Sequence, residues 1–125
     1  MHRTIAVLIC GLLGGAVPAV AHHAFSAYYF EEQSVTVEGV VQSFQYMNPH
    51  AILVFTVRDG NGREQTFTAE WGSVRRLAAS GVMKDTLKPG DLVVVTGSPG
   101  KVADEHKLHL KGLHRPADGW RWKRA

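Results

Sequence analysis

Thiol chemistry is all but missing from this chain. Its 125 residues contain one cysteine, Cys10. That cysteine lies inside an apolar, glycine-rich stretch, 5–17, which follows a short basic head, Met1-His2-Arg3. The stretch is too short to span a bilayer. Pro18 and then Ala19-Val20-Ala21 supply the small-x-small pattern of a signal-peptidase site. Residues 1–21 therefore read as a cleaved secretory signal, and the protein is expected to be periplasmic or secreted. Ile9, just before Cys10, is not the small residue a lipoprotein signal wants, so no lipidation is expected. No transmembrane segment is expected after cleavage. Without Cys10 the mature chain, 22–125, has no cysteine at all. Disulfides, thiol catalysis, zinc fingers and iron–sulfur clusters are excluded, and stability must come from packing alone. A chain of this length holds one core and not two.

Catalytic constellations are missing too. There is no Gly-x-Ser-x-Gly and no His-Glu-x-x-His, so an enzyme is not expected. Charge of one sign is also scarce, with 14 Lys+Arg against 11 Asp+Glu. The excess sits at the end, where Arg115, Arg121, Lys123 and Arg124 face only Asp118. The basic pI thus comes from the tail and not from a groove, and nucleic acid is not expected as a partner.

What is present is β-patterning. Val35, Val37, Gly39 and Val41 alternate with polar residues, the two-residue period of a strand with one buried face. The apolar phase then slips to Phe44 and Tyr46, and Gly39 suggests a bulge or bend before the slip. Asn48-Pro49 breaks the ladder. A second strand over 51–58 is apolar on both sides and should be central. Asp59-Gly60-Asn61-Gly62 predicts a tight turn into an antiparallel third strand, with Phe67, Ala69 and Trp71 inward. Ser73 is a suitable N-cap and Gly81 a suitable stop for a two-turn helix. Leu87-Lys88-Pro89-Gly90-Asp91 is a turn. Leu92-Val93-Val94-Val95 forms a fourth strand that should be buried, and Leu108, Leu110 and Leu113 mark a fifth. The order β-β-β-α-β-β predicts an all-β domain with one short helix, a small five-stranded OB-like barrel, with an SH3-like barrel as the alternative. The domain boundaries follow: signal 1–21, His/aromatic arm 22–34, barrel 35–114, and a basic Trp-containing tail 115–125.

The candidate site is a set of imidazoles. Cleavage after Ala21 would make His22 the N-terminus, offering an amine and a ring nitrogen from one residue. His23 adds a second ring, and His50 a third at the end of the first hairpin. Nitrogen donors of this kind suit Cu(II), Ni(II) or Zn(II), with copper as the leading cofactor. Glu70, ending the third strand, could orient a histidine from behind. Protonated imidazoles do not bind metal, so affinity should fall below about pH 6. The competing reading is that these are ordinary polar residues on an arm after a cleavage site, where fraying is usual, although Phe25, Tyr28, Tyr29 and Phe30 are many aromatics for a loose arm and are expected to pack over a barrel end. On this competing reading the barrel is a metal-free module for a small ligand, glycan, peptide or partner protein in the periplasm. Its candidate ligand face is Tyr28, Tyr29, Phe44 and Tyr46. His106 and His109, three apart on a strand, point to opposite faces and are expected to be solvated. Arg75 and Arg76 are expected to be solvated as well. The Trp120 and Trp122 tail reads as disordered, with weak contact to headgroups or an anionic glycan as the alternative.

Four motifs in order carry a family resemblance: His22-His23-Ala24-Phe25 after the signal, Asn48-Pro49-His50-Ala51, Glu70-Trp71-Gly72-Ser73, and Leu87-Lys88-Pro89-Gly90-Asp91. Together they resemble the uncharacterised bacterial secreted family known as domain of unknown function 6152, over nearly all of the mature chain. The resemblance implies a periplasmic or secreted single domain with an OB-like barrel. It carries over His22, His23 and His50 as notable polar positions, and it implies no activity. The residues from Trp120 on look like an individual addition.

Overall fold

A computed structural model describes residues 20–125, with side chains from Ala24 onward. Residues 1–19, Cys10 among them, and the side chains of His22 and His23 lie outside the described residues, and with them most of the expected signal segment. The elements are α1 (Val20–Tyr28), β1 (Val35–Gln45), β2 (Ile52–Arg58), β3 (Glu64–Glu70), α2 (Val74–Ala79), β4 (Leu92–Pro99), β5 (Lys107–Arg115) and β6 (Trp120–Lys123), with a 3-10 turn at Ala103–Glu105 before β5. No described helix is long and apolar enough to cross a membrane.

The long first strand does what a small barrel requires of it. Its first half pairs with β4, from Val35 opposite Gly97 to Val40 opposite Leu92, and its second half pairs with β2. The register slips between Val41 and Ser43, which lets one strand serve two sheets. Gly39 is not itself the bulge. It is a point of close approach, where a Cβ would lie 2.5 Å from the Thr56 carbonyl oxygen and 2.8 Å from the Phe55 ring. β2 lies between β1 and β3. The Asp59 carboxylate accepts from the Asn61 and Arg63 amides and closes the tight turn between β2 and β3. β4 and β5 form an antiparallel pair, and a short parallel pairing of β3 with β5, from Thr68–Lys107 to Glu70–His109, closes the ring.

Inside, Val41, Leu53, Phe55, Ala69, Val93, Val95, Leu108, Leu110 and Leu113 form the core. α2 closes one end with Leu77. Ser73 accepts from the Arg76 amide at its start, and Gly81 has φ +82° just past its end. Arg75 and Arg76 are exposed, and the Asn48–Pro49 bond is cis.

Two expectations need correction. β4 is not buried throughout: Val93 and Val95 are, but Leu92 points outward and is 42 % exposed, opposite Val40 at 43 %. The arm, as its aromatics suggest, packs on the barrel through α1 and the residues after it. The tail is neither disordered nor separate. Its β6 pairs with β5, Leu113 opposite Trp122 and Arg115 opposite Trp120, as a sixth strand beside the five-stranded ring. Gly119, at φ +75°, makes the turn that returns it. Trp122 packs edge-on against Trp71 with centroids 4.9 Å apart, and its Nε1 donates to Ser80 Oγ. The alternation Trp-Arg-Trp-Lys puts both indoles on the core side and both cations outside, which explains why the tail folds down rather than fraying.

Candidate functional site

Three chain segments meet at one end of the barrel. The β2–β3 ladder runs past the strand ends, with Ala51 N–H donating to Gly72 O and Trp71 N–H to Ala51 O. This extension holds His50 over Glu70. The His50 Nδ1 lies 2.8 Å from Glu70 Oε1, and the Tyr29 hydroxyl donates to Glu70 Oε2 at 2.7 Å. An ionised carboxylate only accepts, so the hydrogen sits on His50 Nδ1 and the Nε2 lone pair is left for another partner. That Nε2 makes no hydrogen bond among the described residues, and the His50 side chain is 36 % exposed.

Glu70 pairs with His109 across the β3–β5 seam. His109 is on the outer face of β5, between inward Leu108 and Leu110, yet only 8 % of it is exposed. α1 covers it: the Phe25 ring stacks on the imidazole at 3.8 Å between centroids, with 3° between planes. The same phenyl ring is 5.1 Å from the His50 ring and 6.2 Å from Tyr29. His109 Nδ1 is 2.8 Å from Glu31 Oε1. Burial pushes the His109 imidazole below its ordinary pKa, against the opposing pull of Glu31. Burial raises Glu31, but the bond and charge from His109, with help from Ser98 and Arg124, leave that carboxyl below its usual value. For Tyr29, burial and then the bond to Glu70 push the phenol upward.

The arm is pinned at several further points. Tyr29 bridges to Gly100, Phe30 N–H donates to Pro99 O, and Lys101 donates from its backbone to Tyr28 O and from its ammonium to Ser26 O. Lys111 Nζ donates to Glu31 O, Gln33 O and Ser34 Oγ.

Of the sequence-predicted metal residues, His50 and Glu70 are brought into contact. His22 and His23 belong to α1, but their side chains are outside the described residues. Among the described residues there is no group of three or more His, Cys, Asp or Glu side chains poised to hold an ion. The expected ligand face of Tyr28, Tyr29, Phe44 and Tyr46 does not form a single platform. Tyr29 is buried beside Glu70, and Tyr28 is 72 % exposed. Phe44 and Tyr46 pack with one another and toward Trp71 and α2, the Tyr46 hydroxyl donating to Val82 O. His109 is not solvated as expected, because strand alternation alone does not reveal that an arm covers the outer face. The spacing of Phe25 and Tyr29, four apart as on one helix face, was the signal that could have found it. His106 has φ +47° and stacks on Phe67 at 4.9 Å, away from this cluster.

Five strands closed in the order β1-β2-β3-β5-β4, with a helix between β3 and β4, define an OB-like barrel. Within that class the chain belongs to the Family of unknown function (DUF6152), whose model matches residues 9–109. No curated protein matches it. Among solved structures it is similar to the small single-stranded DNA-binding protein from Streptomyces coelicolor, with 22 % identity, 66 % of this chain and 90 % of that chain covered, and a TM-score of 0.44. The exclusion of nucleic acid drawn from charge does not hold for this fold. The charge argument set the basic tail aside as separate, whereas Arg121 and Lys123 are exposed on an ordered strand of the sheet. A likeness of this size says nothing about what this chain binds.

Proposed function

We propose that this is a periplasmic or secreted copper-binding protein, with Cu(II) held by the His22 amine and ring, the His23 ring and His50 Nε2. The observation that carries the reading is the His50–Glu70–Tyr29 chain. A carboxylate fixed by a phenol locks Nδ1 of an accessible imidazole and leaves Nε2 as the free donor, the usual arrangement behind a metal-bound histidine. Amine and imidazole nitrogens match the preference of Cu(II) for tetragonal nitrogen sites. Binding displaces protons from the amine and the rings, so affinity falls on acidification. The test is titration of exported protein, bearing its native N-terminus, with Cu(II). Wild type should bind tightly, and His22→Ala and His50→Ala should each weaken binding and reduce the number of nitrogens seen by electron paramagnetic resonance. Unchanged micromolar or weaker affinity in both variants rejects the site.

A second reading keeps the barrel metal-free and binds a small or extended apolar ligand, glycan, peptide or partner protein. It is favoured by a cleft of about 440 Å³ between the arm, β1 and β5, lined by Phe30, Val35, Val37, Phe67, Val102 and Leu108 among others. A ligand found by screening metal-free protein, and retained in chelator and in the histidine variants, favours this reading over copper.

A further inference from the structure

β6 carries two cations that the fold does not use. Its alternation turns Trp120 and Trp122 toward the core and Arg121 and Lys123 toward solvent. Neither cationic side chain has a hydrogen-bond, ion-pair or ring partner among the described residues. They stand on one face of the strand, two residues apart, about 6.8 Å at 3.4 Å per residue. The register sets what lies beside each. Lys123 is opposite Gly112 of β5, which is opposite Thr96 of β4, and Arg121 is opposite His114, which is opposite Val94. These two rows line a groove of about 460 Å³ on the outside of the barrel, together with Ser34 and Lys111. No carboxylate lines it. Glu38 continues the second row beyond Val94, but three strands separate it from Arg121, about 14 Å at 4.8 Å per strand. That is more than the screening length of about 8 Å at physiological salt.

The floor is open because residue 112 has no side chain. A Cβ there would meet only the Trp122 carbonyl oxygen at 3.7 Å and the Thr96 Cβ at 3.9 Å, which are ordinary contacts. Gly39 and Gly97 differ, since a Cβ at either would lie 2.5 Å or 2.6 Å from a backbone oxygen. Sheet packing therefore explains those two glycines and not Gly112.

The charge calls for an anionic occupant. An exposed cation gains about 1 kcal/mol or less from a single anion in water, whereas a chain of anions engages several cations at once. A bilayer surface takes apolar or aromatic side chains as anchors, and both β6 indoles face the core. Single-stranded nucleic acid gains affinity by stacking bases on aromatic faces, and the one indole along the groove, Trp122, is turned against Trp71. Beside the cations the groove offers the His114 imidazole and two hydroxyls. Thr96 shares a bond with Thr36 and Ser34 accepts from Lys111, and each hydroxyl keeps capacity for a further bond. We propose that this outer face of β4, β5 and β6 binds an extended acidic glycan, its carboxylates on Arg121 and Lys123 and its hydroxyls along His114, Thr96 and Ser34. The surface shares no residue with the His50–Glu70–Tyr29 cluster and does not depend on the copper reading.

The experiment uses exported protein with hexagalacturonate as the probe and the fully methyl-esterified hexamer as its uncharged counterpart. Calorimetry at low salt reads affinity, and amide shifts locate the contact. Wild type should bind the acid form, lose at least tenfold in affinity for the ester, weaken as salt is raised, and shift amides at 94–96, 112–114 and 121–123. Arg121→Gln combined with Lys123→Gln should weaken binding at least tenfold. Gly112→Val, which fills the floor without changing charge, should do the same. Arg75→Gln combined with Arg76→Gln, two exposed cations on α2, should leave affinity unchanged. Melting curves establish that each variant is folded, and if Gly112→Val is not, the β6 pair and its α2 control decide. The proposal is wrong if wild type does not bind the acid hexamer, if the ester binds as well, if the α2 pair costs as much as the β6 pair, or if folded Gly112→Val binds like wild type. Tighter binding of a single-stranded oligonucleotide or of anionic vesicles through the same residues would overturn the glycan assignment.

Discussion

Replacing Glu70 by glutamine removes one charge and almost no volume, and it tests the central hydrogen-bond chain directly. The carboxylate accepts twice, from Tyr29 at 2.7 Å and from His50 at 2.8 Å. An amide offers one acceptor to these two donors, so one of them must change. The Tyr29 side chain is buried and its hydroxyl has no other acceptor among the described residues, whereas an imidazole can move its hydrogen to the other nitrogen. The amide oxygen should therefore go to Tyr29 and the amide N–H to His50 Nδ1, which switches His50 to the Nε2–H form. Two charge-assisted bonds are weakened, but Glu70 and His50 are 27 % and 36 % exposed at their side chains, so solvent screens much of the loss. The stability cost should be about 1–2 kcal/mol. The effect on copper should be larger, since Nε2 no longer presents a lone pair, and loss of an orienting partner lowers metal affinity about 10–100-fold. Nitrogen-15 shifts of the His50 ring in metal-free Glu70→Gln protein read the tautomer without reference to any metal. A ring that keeps its hydrogen on Nδ1, together with unchanged copper affinity, would refute the reasoning.

Phe55 is fully buried at the centre of β2, and Phe55→Ala should cost about 3–5 kcal/mol in a denaturant titration. A Cβ at residue 97 would lie 2.6 Å from the His109 carbonyl oxygen, so Gly97→Ala should part β4 from β5 and be recovered poorly folded by circular dichroism, with native-like melting as the contrary result. Trp122→Ala removes a half-buried indole from Trp71 and should cost about 2 kcal/mol, where a free tail would give no change. The His109 pKa is lower folded than unfolded, so the unfolded chain binds more protons as pH drops below the ordinary histidine value of about 6.5, and stability is lost through that window down to the depressed folded value. Glu31, also lowered, adds a second loss below about pH 4.5. His109→Gln should flatten the first of these phases in denaturant titrations taken from pH 7 to 4.

The barrel was legible because its signals are local. Alternation along 35–41, the Asp-Gly-Asn-Gly turn, the Ser73 cap and the Gly81 stop each act within a few residues, and their order is enough to define the topology. What escaped depends on contacts between distant segments. The outward side of β4 is apolar at Leu92 and Val94, and periodicity cannot distinguish such a strand from one covered on both sides. His109 reads as a solvent-facing residue between two inward leucines. Only the arrival of Phe25, 84 positions earlier in the chain, turns it into a buried one. The aromatic tail looks basic and loose by composition, although Trp120 and Trp122 are spaced as the inward residues of a strand. His50 and Glu70 are recognisable as neighbours, since one lies just before the first strand of the β2–β3 hairpin and the other ends its second. The Tyr29 hydroxyl that completes the chain comes from the arm and left no trace in the local pattern.

Both ends of the described chain are fastened to β5, and this ties the candidate site to the tail. Lys111 spends its ammonium on three oxygens of residues 31–34, while its own carbonyl accepts from the Arg124 amide, just beyond β6. Two residues before it, His109 carries Phe25 on its ring and Glu31 on its Nδ1. Arg124 approaches the same pair, with Nη1 4.0 Å from Glu31 Oε2. A single strand thus receives the arm on its side chains and the tail on its backbone, within three positions. The arm contributes little core of its own, Tyr29 being its one buried hydrophobic residue among the described residues, so its docking depends on how firmly β5 is held. β6 supplies that hold on the side of β5 away from β4. The basic tail is accordingly part of what keeps the arm in place, and through Arg124 it reaches the His109–Glu31 pair directly.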